Sequence, residues 1–202
     1  GNPEQKYYQL AENAKSAIIK SRSQIAHLIS AQTDEVIFNS GATEGNNTVI
    51  KGVVSALKSK GNHIISTAVE HSSVYETLKY LETQGIEVTY LTVNERCEID
   101  LKMLKKSIRP STILISIMWV NNEVGAIFPI KEIAQICYDR NILFHTDATQ
   151  AIGKISINLE EIRGISFLTF SGHKIRGPKG IGVLFVRKDK HGIHTKFTPL
   201  IH

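Results

Sequence analysis

The segment that decides the fold is Ser171-Gly172-His173-Lys174-Ile175-Arg176-Gly177-Pro178-Lys179-Gly180-Ile181-Gly182. An apolar run at residues 165–170 precedes it, and a second apolar run at residues 183–186 follows it. The Gly-Pro-Lys-Gly sequence at residues 177–180 is typical of a tight turn, so the pattern predicts a strand, a loop and a second strand. Lys174 then falls at the carboxyl end of the first strand, the edge at which open α/β sheets bind ligands.

The amine of Lys174 suggests chemistry at that edge, because a lysine so placed can form a Schiff base with a carbonyl cofactor. The alternative is a solvated loop cation, the usual state of a lysine. A nucleotide-binding phosphate loop does not fit, since Pro178 occupies the position where that motif requires lysine. No serine or threonine follows Lys179, and an apolar strand rather than a helix comes next.

The composition describes an ordinary globular protein of about one domain. Of the 202 residues, 42% are hydrophobic and 21% are charged, which are usual fractions for such proteins. The formal net charge is +5, and the lysines are scattered rather than gathered in blocks. This pattern argues against direct binding of nucleic acid or of an anionic membrane surface.

Neither membrane insertion nor secretion has a signal in this sequence. No apolar run approaches the roughly 20 residues that a membrane span requires, and the polar residues 1–6 are not a signal peptide. Cys97 and Cys137 have no Cys-x-x-Cys partner, so free thiols are expected rather than a disulfide or a metal site. We therefore expect a cytoplasmic protein without a bound metal.

Apolar periodicity predicts that helices and strands alternate along the chain. Helices are expected at residues 4–29, after residues 39–47 as far as about residue 60, and at 73–83, 101–106 and 129–139. Strands are expected at residues 36–38, 63–66, 86–91, 113–117, 143–146, 165–170 and 183–186. This alternation indicates a three-layer α/β fold, with a mostly parallel seven-stranded sheet and helices on both faces.

Polar side chains follow several of the predicted strands at the point where each strand ends. They are Thr43, His71, Asn122, Asp147, Gln150 and residues 171–174. Because ligands bind at the carboxyl edge of such sheets, we expect these groups to share one site. A threonine at a helix start, as Thr43 is predicted to be, can cap free backbone N–H groups, and phosphates are held at helix starts in the same way.

Five segments of the chain together resemble a known family. They are Ser40-Gly41-Ala42-Thr43-Glu44-Gly45-Asn46-Asn47, Glu70-His71, Val120-Asn121-Asn122-Glu123-Val124-Gly125, His145-Thr146-Asp147-Ala148-Thr149-Gln150, and Ser171-Gly172-His173-Lys174 with Gly177-Pro178-Lys179-Gly180. In this order they resemble the pyridoxal-phosphate enzymes of the class V aminotransferase family, which have PLP fold type I, and most closely the cysteine desulfurases. The resemblance covers nearly the whole chain, and five motifs in register make it specific.

The resemblance implies a site for pyridoxal 5'-phosphate. Lys174 is then the lysine that holds the cofactor through its amine and moves the α-proton of the substrate. Asp147 keeps the pyridine nitrogen protonated, and Gln150 donates to the phenolate oxygen. His71 stacks on the pyridine face and is a candidate proton carrier. Without the resemblance, the alternatives are a helix cap or turn former for Asp147 and a structural histidine for His71.

The same family pattern implies how the rest of the cofactor and the substrate are held. Asn122 lies near the ring oxygen of the cofactor and the carboxylate of the substrate. The backbone of Ala42 and the side chains of Thr43, Ser171 and His173 form a cup for the phosphate.

The resemblance also implies a reaction, partners and a domain boundary. Cysteine desulfurases convert L-cysteine to L-alanine, form homodimers, and pass the sulfur as an enzyme persulfide to acceptors such as an iron-sulfur scaffold or to nucleic-acid thiolation. Cys97 and Cys137 match no persulfide motif. Residues 1–202 are therefore expected to form a partial large domain, without the leading strand, the small carboxyl-terminal domain and the persulfide cysteine, and to be inactive alone. A selenocysteine lyase, an aminotransferase and a non-catalytic scaffold remain the alternatives.

Overall fold

The computed structural model describes residues 9–200 and contains one central sheet with helices on both faces. The helices are α1 (Gln9–Ile29), α2 (Ala42–Ala56), α3 (Ser72–Glu82), α4 (Leu101–Ser107) and α5 (Ile130–Arg140). The strands are β1 (Val36–Asn39), β2 (His63–Thr67), β3 (Glu87–Leu91), β4 (Thr112–Ser116), β5 (Leu143–Asp147), β6 (Phe167–Ser171) and β7 (Gly182–Val186). None of these helices has the length and apolar character needed to cross a membrane. Residues 4–8 of the predicted first helix lie outside the described residues.

The sheet has seven strands within residues 9–200, in the order β1-β7-β6-β5-β4-β2-β3. The pairs formed by β2 to β6 are parallel, whereas β7 is antiparallel to both β1 and β6. Among the described strands β7 is therefore the reversed one, and the carboxyl ends of the other six share an edge. The predicted mostly parallel, seven-stranded sheet is confirmed.

Helices cover both faces of the sheet, which explains why its central strands have unbroken apolar runs. Every residue of β2, β4, β6 and β7 is buried, as expected for strands between two helix layers. On one face α1 and α5 pack over residues such as Phe144 and Phe170. On the other face α2 and α3 pack over Ile64, Leu114 and Phe167. These two core layers hold the strand ends together at one edge.

Apart from helix and strand ends that differ by one or two residues, two predicted features differ from the structure for local reasons. The second helix ends at Ala56, short of the predicted residue 60, because a turn follows in which the Lys60 N–H donates to the Leu57 carbonyl at 2.8 Å. Residues 172–175 form a 3-10 turn rather than an irregular loop, and this turn carries Lys174. The lysine is therefore held by local hydrogen bonds directly after β6.

Candidate active site

All nine residues that the sequence predicts for the site line one cleft at the carboxyl edge of the sheet. The cleft has a volume of about 300 Å³ and is lined by Ala42, Thr43, His71, Ser73, Met118, Val120, Asn122, Asp147, Thr149, Gln150, Ser171, His173 and Lys174. They lie at or after the ends of β2, β4, β5 and β6 and at the start of α2. The fold thus brings distant segments of the sequence to one cavity, and the chemical role of each residue stays a prediction.

Asp147 is the buried acidic group of the cleft. It is the last residue of β5 and is only 6% exposed. Its Oδ2 accepts a hydrogen bond from Asn46 Nδ2 at 2.8 Å, and its Oδ1 accepts from the Thr149 N–H at 2.9 Å. Because both carboxylate oxygens accept from N–H donors, the group is held in one orientation.

His71 caps the amino end of α3 and lines the cleft. Its Nδ1 accepts a hydrogen bond from the Ser73 N–H at 3.1 Å and lies 2.8 Å from Ser73 Oγ. Since α3 begins shortly after β2 ends, the ring is carried to the same edge as Asp147. The residue is exposed, so its ring is accessible to a ligand in the cleft.

Lys174 is presented by the 3-10 turn that follows β6. The Gly177 N–H donates to the Gly172 carbonyl at 2.9 Å and closes this turn. A side chain at Gly177 would crowd the same carbonyl oxygen, so the close approach requires glycine at this position. Arg176 ends the turn in the left-handed region, at φ 63°. Lys174 is exposed and lines the cleft, which makes its amine accessible.

The start of α2 forms a second polar part of the cleft. The Ala42 N–H donates to Ser171 Oγ at 2.8 Å, which joins the start of α2 to the end of β6. The start of β7 passes close to the residue that precedes α2. A side chain at Gly182 would collide with the Gly41 backbone, so this close approach requires glycine at position 182. The partial positive charge of the helix start, with the nearby hydroxyl of Thr43, favours an anion at this place.

Asn122, Gln150 and His173 lie on the rim of the cleft. Asn122 and His173 are exposed, and Gln150 is half-buried. Gln150 Oε1 accepts from Lys154 Nζ at 3.0 Å, so the amide nitrogen of Gln150 is the group that can donate into the cleft. These three side chains are placed to contact a bound molecule.

Five residues around the cleft were not predicted from the sequence: Asn46, Ser73, Met118, Val120 and Thr149. Asn46 lies within the motif at residues 40–47, and Ser73 lies two residues after His71. Their nearness to these motifs is the sequence feature from which they could have been predicted as site residues. Thr149 Oγ1 is buried and has no hydrogen-bond partner among residues 9–200. Because buried hydroxyls are usually paired, Thr149 is a candidate contact for a ligand.

Glu70, beside His71, has an enclosed carboxyl group although the residue as a whole is half-buried. The carboxyl group accepts from Thr67 Oγ1 at 2.7 Å and from the Met118 N–H at 3.0 Å. It thereby connects the end of β2 to the segment after β4. Burial raises the pKa of Glu70 to about 8 and outweighs these two hydrogen bonds, which lower it, while the charge of Asp147 raises it further.

The pKa of Glu70 predicts that folding stability falls as the pH rises from about 5 to about 8. In this range the folded carboxyl keeps a proton that the unfolded one, with an ordinary pKa of 4.5, has released. The folded state then binds more protons, so rising pH favours unfolding by at most about 1.4 kcal/mol per pH unit. The Glu70→Gln variant cannot ionise, so its free energy of unfolding relative to the unchanged chain should rise with pH in urea titrations.

Glu76→Gln is the matched control for this measurement, because Glu76 is exposed on the same α3 helix. Its free energy of unfolding should show the same pH dependence as that of the unchanged chain across the same range. Identical pH profiles for Glu70→Gln and the unchanged chain would show that the Glu70 carboxyl is not held away from water.

Comparison of the sequence with known proteins identifies related chains. Residues 1–199 match the family described as Aminotransferase class-V. The chain is 48% identical over 201 residues to a cysteine desulfurase IscS of Ehrlichia chaffeensis, an alignment that covers 100% of this chain and 48% of that protein. The chain therefore spans about half the length of the curated relatives that it matches.

Comparison of the fold gives the same result. A structure of SspA in complex with cysteine has a TM-score of 0.93 and 39% sequence identity, and the match covers 100% of this chain and 57% of that chain. An apo structure of a cysteine desulfurase from Thermococcus onnurineus has a TM-score of 0.84 and 26% identity, over 98% of this chain and 54% of that chain. Sequence motifs, fold and relatives agree, and the chain belongs to the class V aminotransferase family.

Proposed function

We propose that the protein to which this chain belongs is a cysteine desulfurase, which converts L-cysteine to L-alanine and transfers the sulfur to an enzyme cysteine. The observation that carries the proposal is the convergence of Lys174, Asp147 and His71 in one cleft beside the start of α2. Relatives named cysteine desulfurase support this choice of reaction. In this proposal residues 1–202 are part of the cofactor-binding large domain of the longer protein.

The cleft fits pyridoxal 5'-phosphate, the cofactor of the class V family. This cofactor has an aldehyde, a ring nitrogen and a phosphate, and each needs a partner in the protein. The accessible amine of Lys174 is the partner for the aldehyde, the buried carboxylate of Asp147 for the ring nitrogen, and the start of α2 for the phosphate. The unpaired hydroxyl of Thr149, buried among the described residues, offers one more polar contact. The bound cofactor would supply an electron sink for charge that develops on the substrate α-carbon.

Each predicted residue has a defined task at this site. Lys174 Nζ would hold the cofactor and act as the base for the α-proton of the substrate. Asp147 would keep a proton on the ring nitrogen, and Gln150 would donate to the ring oxygen. His71 would pack on the ring face and carry protons. Asn122 would contact the ring oxygen and the substrate carboxylate.

The phosphate would be held by the backbone of Ala42 and the side chains of Thr43, Ser171 and His173. A helix end contributes about 0.3 to 2 kcal/mol to the binding of a nearby anion. Micromolar retention requires about 8 kcal/mol in total. The helix start is therefore insufficient, and hydrogen bonds from these side chains and the covalent link to Lys174 must supply the remainder.

We propose that the sulfur-accepting cysteine lies in the longer protein beyond this chain. Cys137 is buried on α5, and burial raises the pKa of its thiol far above the ordinary value, so it is a poor nucleophile. Cys97 follows β3, which is four strand spacings from β6 and its lysine. At about 4.8 Å per spacing, β3 lies roughly 19 Å from β6. Neither thiol lines the cleft.

The proposal extends to the partners and the location of the longer protein. A sulfur-acceptor protein such as an iron-sulfur scaffold would take the persulfide sulfur, and the longer protein would form a homodimer. Both thiols of the chain are free, as is typical of proteins in a reducing cytoplasm. The scattered charge of +5 favours a protein acceptor over direct contact with nucleic acid.

Cofactor uptake by the purified chain tests the basis of the proposal. After addition of pyridoxal 5'-phosphate, we expect a visible absorption band that borohydride removes. Mass spectrometry should then find the reduced cofactor on the peptide that contains Lys174. A chain that takes up no cofactor would contradict the proposal.

The reaction itself is tested on the longer protein. With a thiol reductant present, it should release sulfide from L-cysteine and form L-alanine in equal amount. Transfer of the amino group to a keto acid, or activity confined to L-selenocysteine, would indicate a different class V reaction. A protein that holds the cofactor but has no turnover would indicate a non-catalytic scaffold.

A further inference from the structure

Asn46 connects the acidic group of the cleft to its histidine, although it does not line the cleft itself. It lies on α2 and is 0% exposed. Its Nδ2 donates to Asp147 Oδ2 at 2.8 Å and to Ser73 Oγ at 2.9 Å, and its Oδ1 accepts from Thr169 Oγ1 at 2.5 Å. The Asp147 carboxylate decides which end of the amide is the nitrogen, because a carboxylate oxygen only accepts.

The hydrogen bond from Asn46 occupies a lone pair of the Ser73 hydroxyl and leaves its proton free to point at His71. Because His71 Nδ1 already accepts from a backbone N–H and therefore has no proton, Ser73 Oγ, which accepts from Asn46, donates its own proton to Nδ1 at 2.8 Å. The backbone N–H of Ser73 donates to the same ring nitrogen at 3.1 Å. Two donors therefore face Nδ1, and the proton of a neutral His71 ring lies on Nε2.

The hydrogen bonds of the buried residues behind Asn46 have the same donor-to-acceptor direction, which leads towards the cleft. Thr169 gives its hydroxyl proton to Asn46, so Thr169 Oγ1 accepts from His145 Nε2 at 3.1 Å. His145 Nδ1 then accepts from Ser116 Oγ at 2.9 Å. Burial lowers the pKa of His145 to about 4, so near neutral pH its ring is uncharged and has one proton to place. The hydrogen bonds therefore run in one direction, from Ser116 to the cleft.

We propose that Asn46 is a positioning residue that holds the Asp147 carboxylate and, through the Ser73 hydroxyl, strengthens the preference of the His71 ring for the Nε2–H tautomer, which the Ser73 N–H also favours. One buried amide then orients both groups that would contact the cofactor ring, one at the ring nitrogen and one at the ring face. The inference rests on the proposed function for what these two groups contact. The tautomer of His71 is a property of the chain itself.

The decisive variant is Asn46→Asp, which replaces the amide donor with an acceptor of the same shape. The new carboxylate has no N–H for Ser73, so the Ser73 hydroxyl must donate to it and turn its lone pairs towards His71 Nδ1. The proton population of the neutral His71 ring should then shift in part from Nε2 towards Nδ1, because the Ser73 N–H still donates to Nδ1 and maintains some of the Nε2–H form. Nitrogen-15 NMR of the cofactor-free chain with labelled histidine measures this shift, and the signal absent from a His71→Gln variant identifies the ring.

Asn47→Asp is the matched control, because it adds the same charge at the next residue of α2. Asn47 Oδ1 accepts from Thr77 Oγ1 at 3.0 Å, and its Nδ2 donates to the carbonyls of Thr43 at 3.0 Å and Ser73 at 3.5 Å. Within residues 9–200 its side chain bonds to neither the Asp147 carboxylate nor the Ser73 hydroxyl. The His71 signals should be unchanged in this control. If Asn46→Asp also leaves them unchanged, the proposal is overturned.

Asn46→Ala keeps the proposal testable if two adjacent carboxylates prevent the aspartate variant from folding. Loss of a hydrogen bond to a charged group should weaken the binding of pyridoxal 5'-phosphate about 10-fold or more. The control Asn47→Ala should change the affinity by less than about 2-fold. Affinities are read from the visible band, and thermal unfolding shows that both variants are folded.

The two proposals fail in distinguishable ways. Equal affinities for Asn46→Ala and Asn47→Ala, in a chain that binds the cofactor, would overturn the positioning role alone. If the unchanged chain takes up no cofactor, the proposed function fails, and the NMR signals of His71 still decide whether Asn46 influences the tautomer of this ring.

Discussion

The Lys174→Ala variant should have no detectable turnover of L-cysteine in the longer protein and no borohydride-sensitive band in the chain. In our proposal Lys174 is both the covalent partner of the cofactor and the base, and it is the lysine that lines the described cleft. Loss of the covalent link should also weaken cofactor retention. Because Lys174 is exposed, the free energy of unfolding should change by less than about 0.5 kcal/mol.

Two further variants separate the charge of Lys174 from its chemistry. Lys174→Arg keeps the positive charge but cannot form the covalent link, so it should be as inactive as the alanine variant. Lys179→Ala removes an exposed lysine of the neighbouring turn that does not line the cleft, and it should keep the band. Turnover by Lys174→Ala would place the reactive amine elsewhere and remove the basis of the proposed function.

The Asp147→Asn variant should lower the turnover rate about 100-fold or more, the size expected when one electrostatic group aimed at a reacting charge is removed. An amide does not keep the ring nitrogen protonated as a carboxylate does. The exchange also disturbs the site, because Asn46 Nδ2 and the Thr149 N–H both donate to Asp147. The new amide nitrogen must therefore face one of these donors. Steady-state rates and cofactor absorption, measured together, separate a loss of rate from a loss of cofactor.

Asp139→Asn is the control for the loss of one negative charge, since Asp139 is exposed near the end of α5. Its rate should equal that of the unchanged protein. Full activity of Asp147→Asn with the cofactor bound would show that this carboxylate is not the partner of the ring nitrogen.

Local sequence patterns were sufficient to predict the sheet. Seven strands were expected and seven are found in residues 9–200, with ends that differ by one or two residues. The 3-10 turn at residues 172–175 was not predicted, because it depends on hydrogen bonds of Gly172 and Gly177 rather than on apolar periodicity. Such bonds form only when the two strands around the turn are paired.

The lining of the cleft was also predictable, because its residues follow strand ends and lie in recognisable motifs. The supporting residues were not. Asn46 has no feature in the sequence that distinguishes it from Asn47, yet it bonds to Asp147, which is 101 positions away. Ser73 likewise has no distinguishing feature in the sequence, and its role follows from the hydrogen bonds of its hydroxyl to Asn46 and His71.

The sequence by itself determined the fold class, the family and the set of residues that meet at the carboxyl edge, because periodicity and motif spacing are local properties of the chain. Only the tertiary structure decided the direction of the hydrogen bonds around Asn46, the enclosure of the Glu70 carboxyl and the unpaired state of Thr149 Oγ1 within the described residues. These depend on burial and on partners from distant segments, which exist only after the strands are assembled side by side.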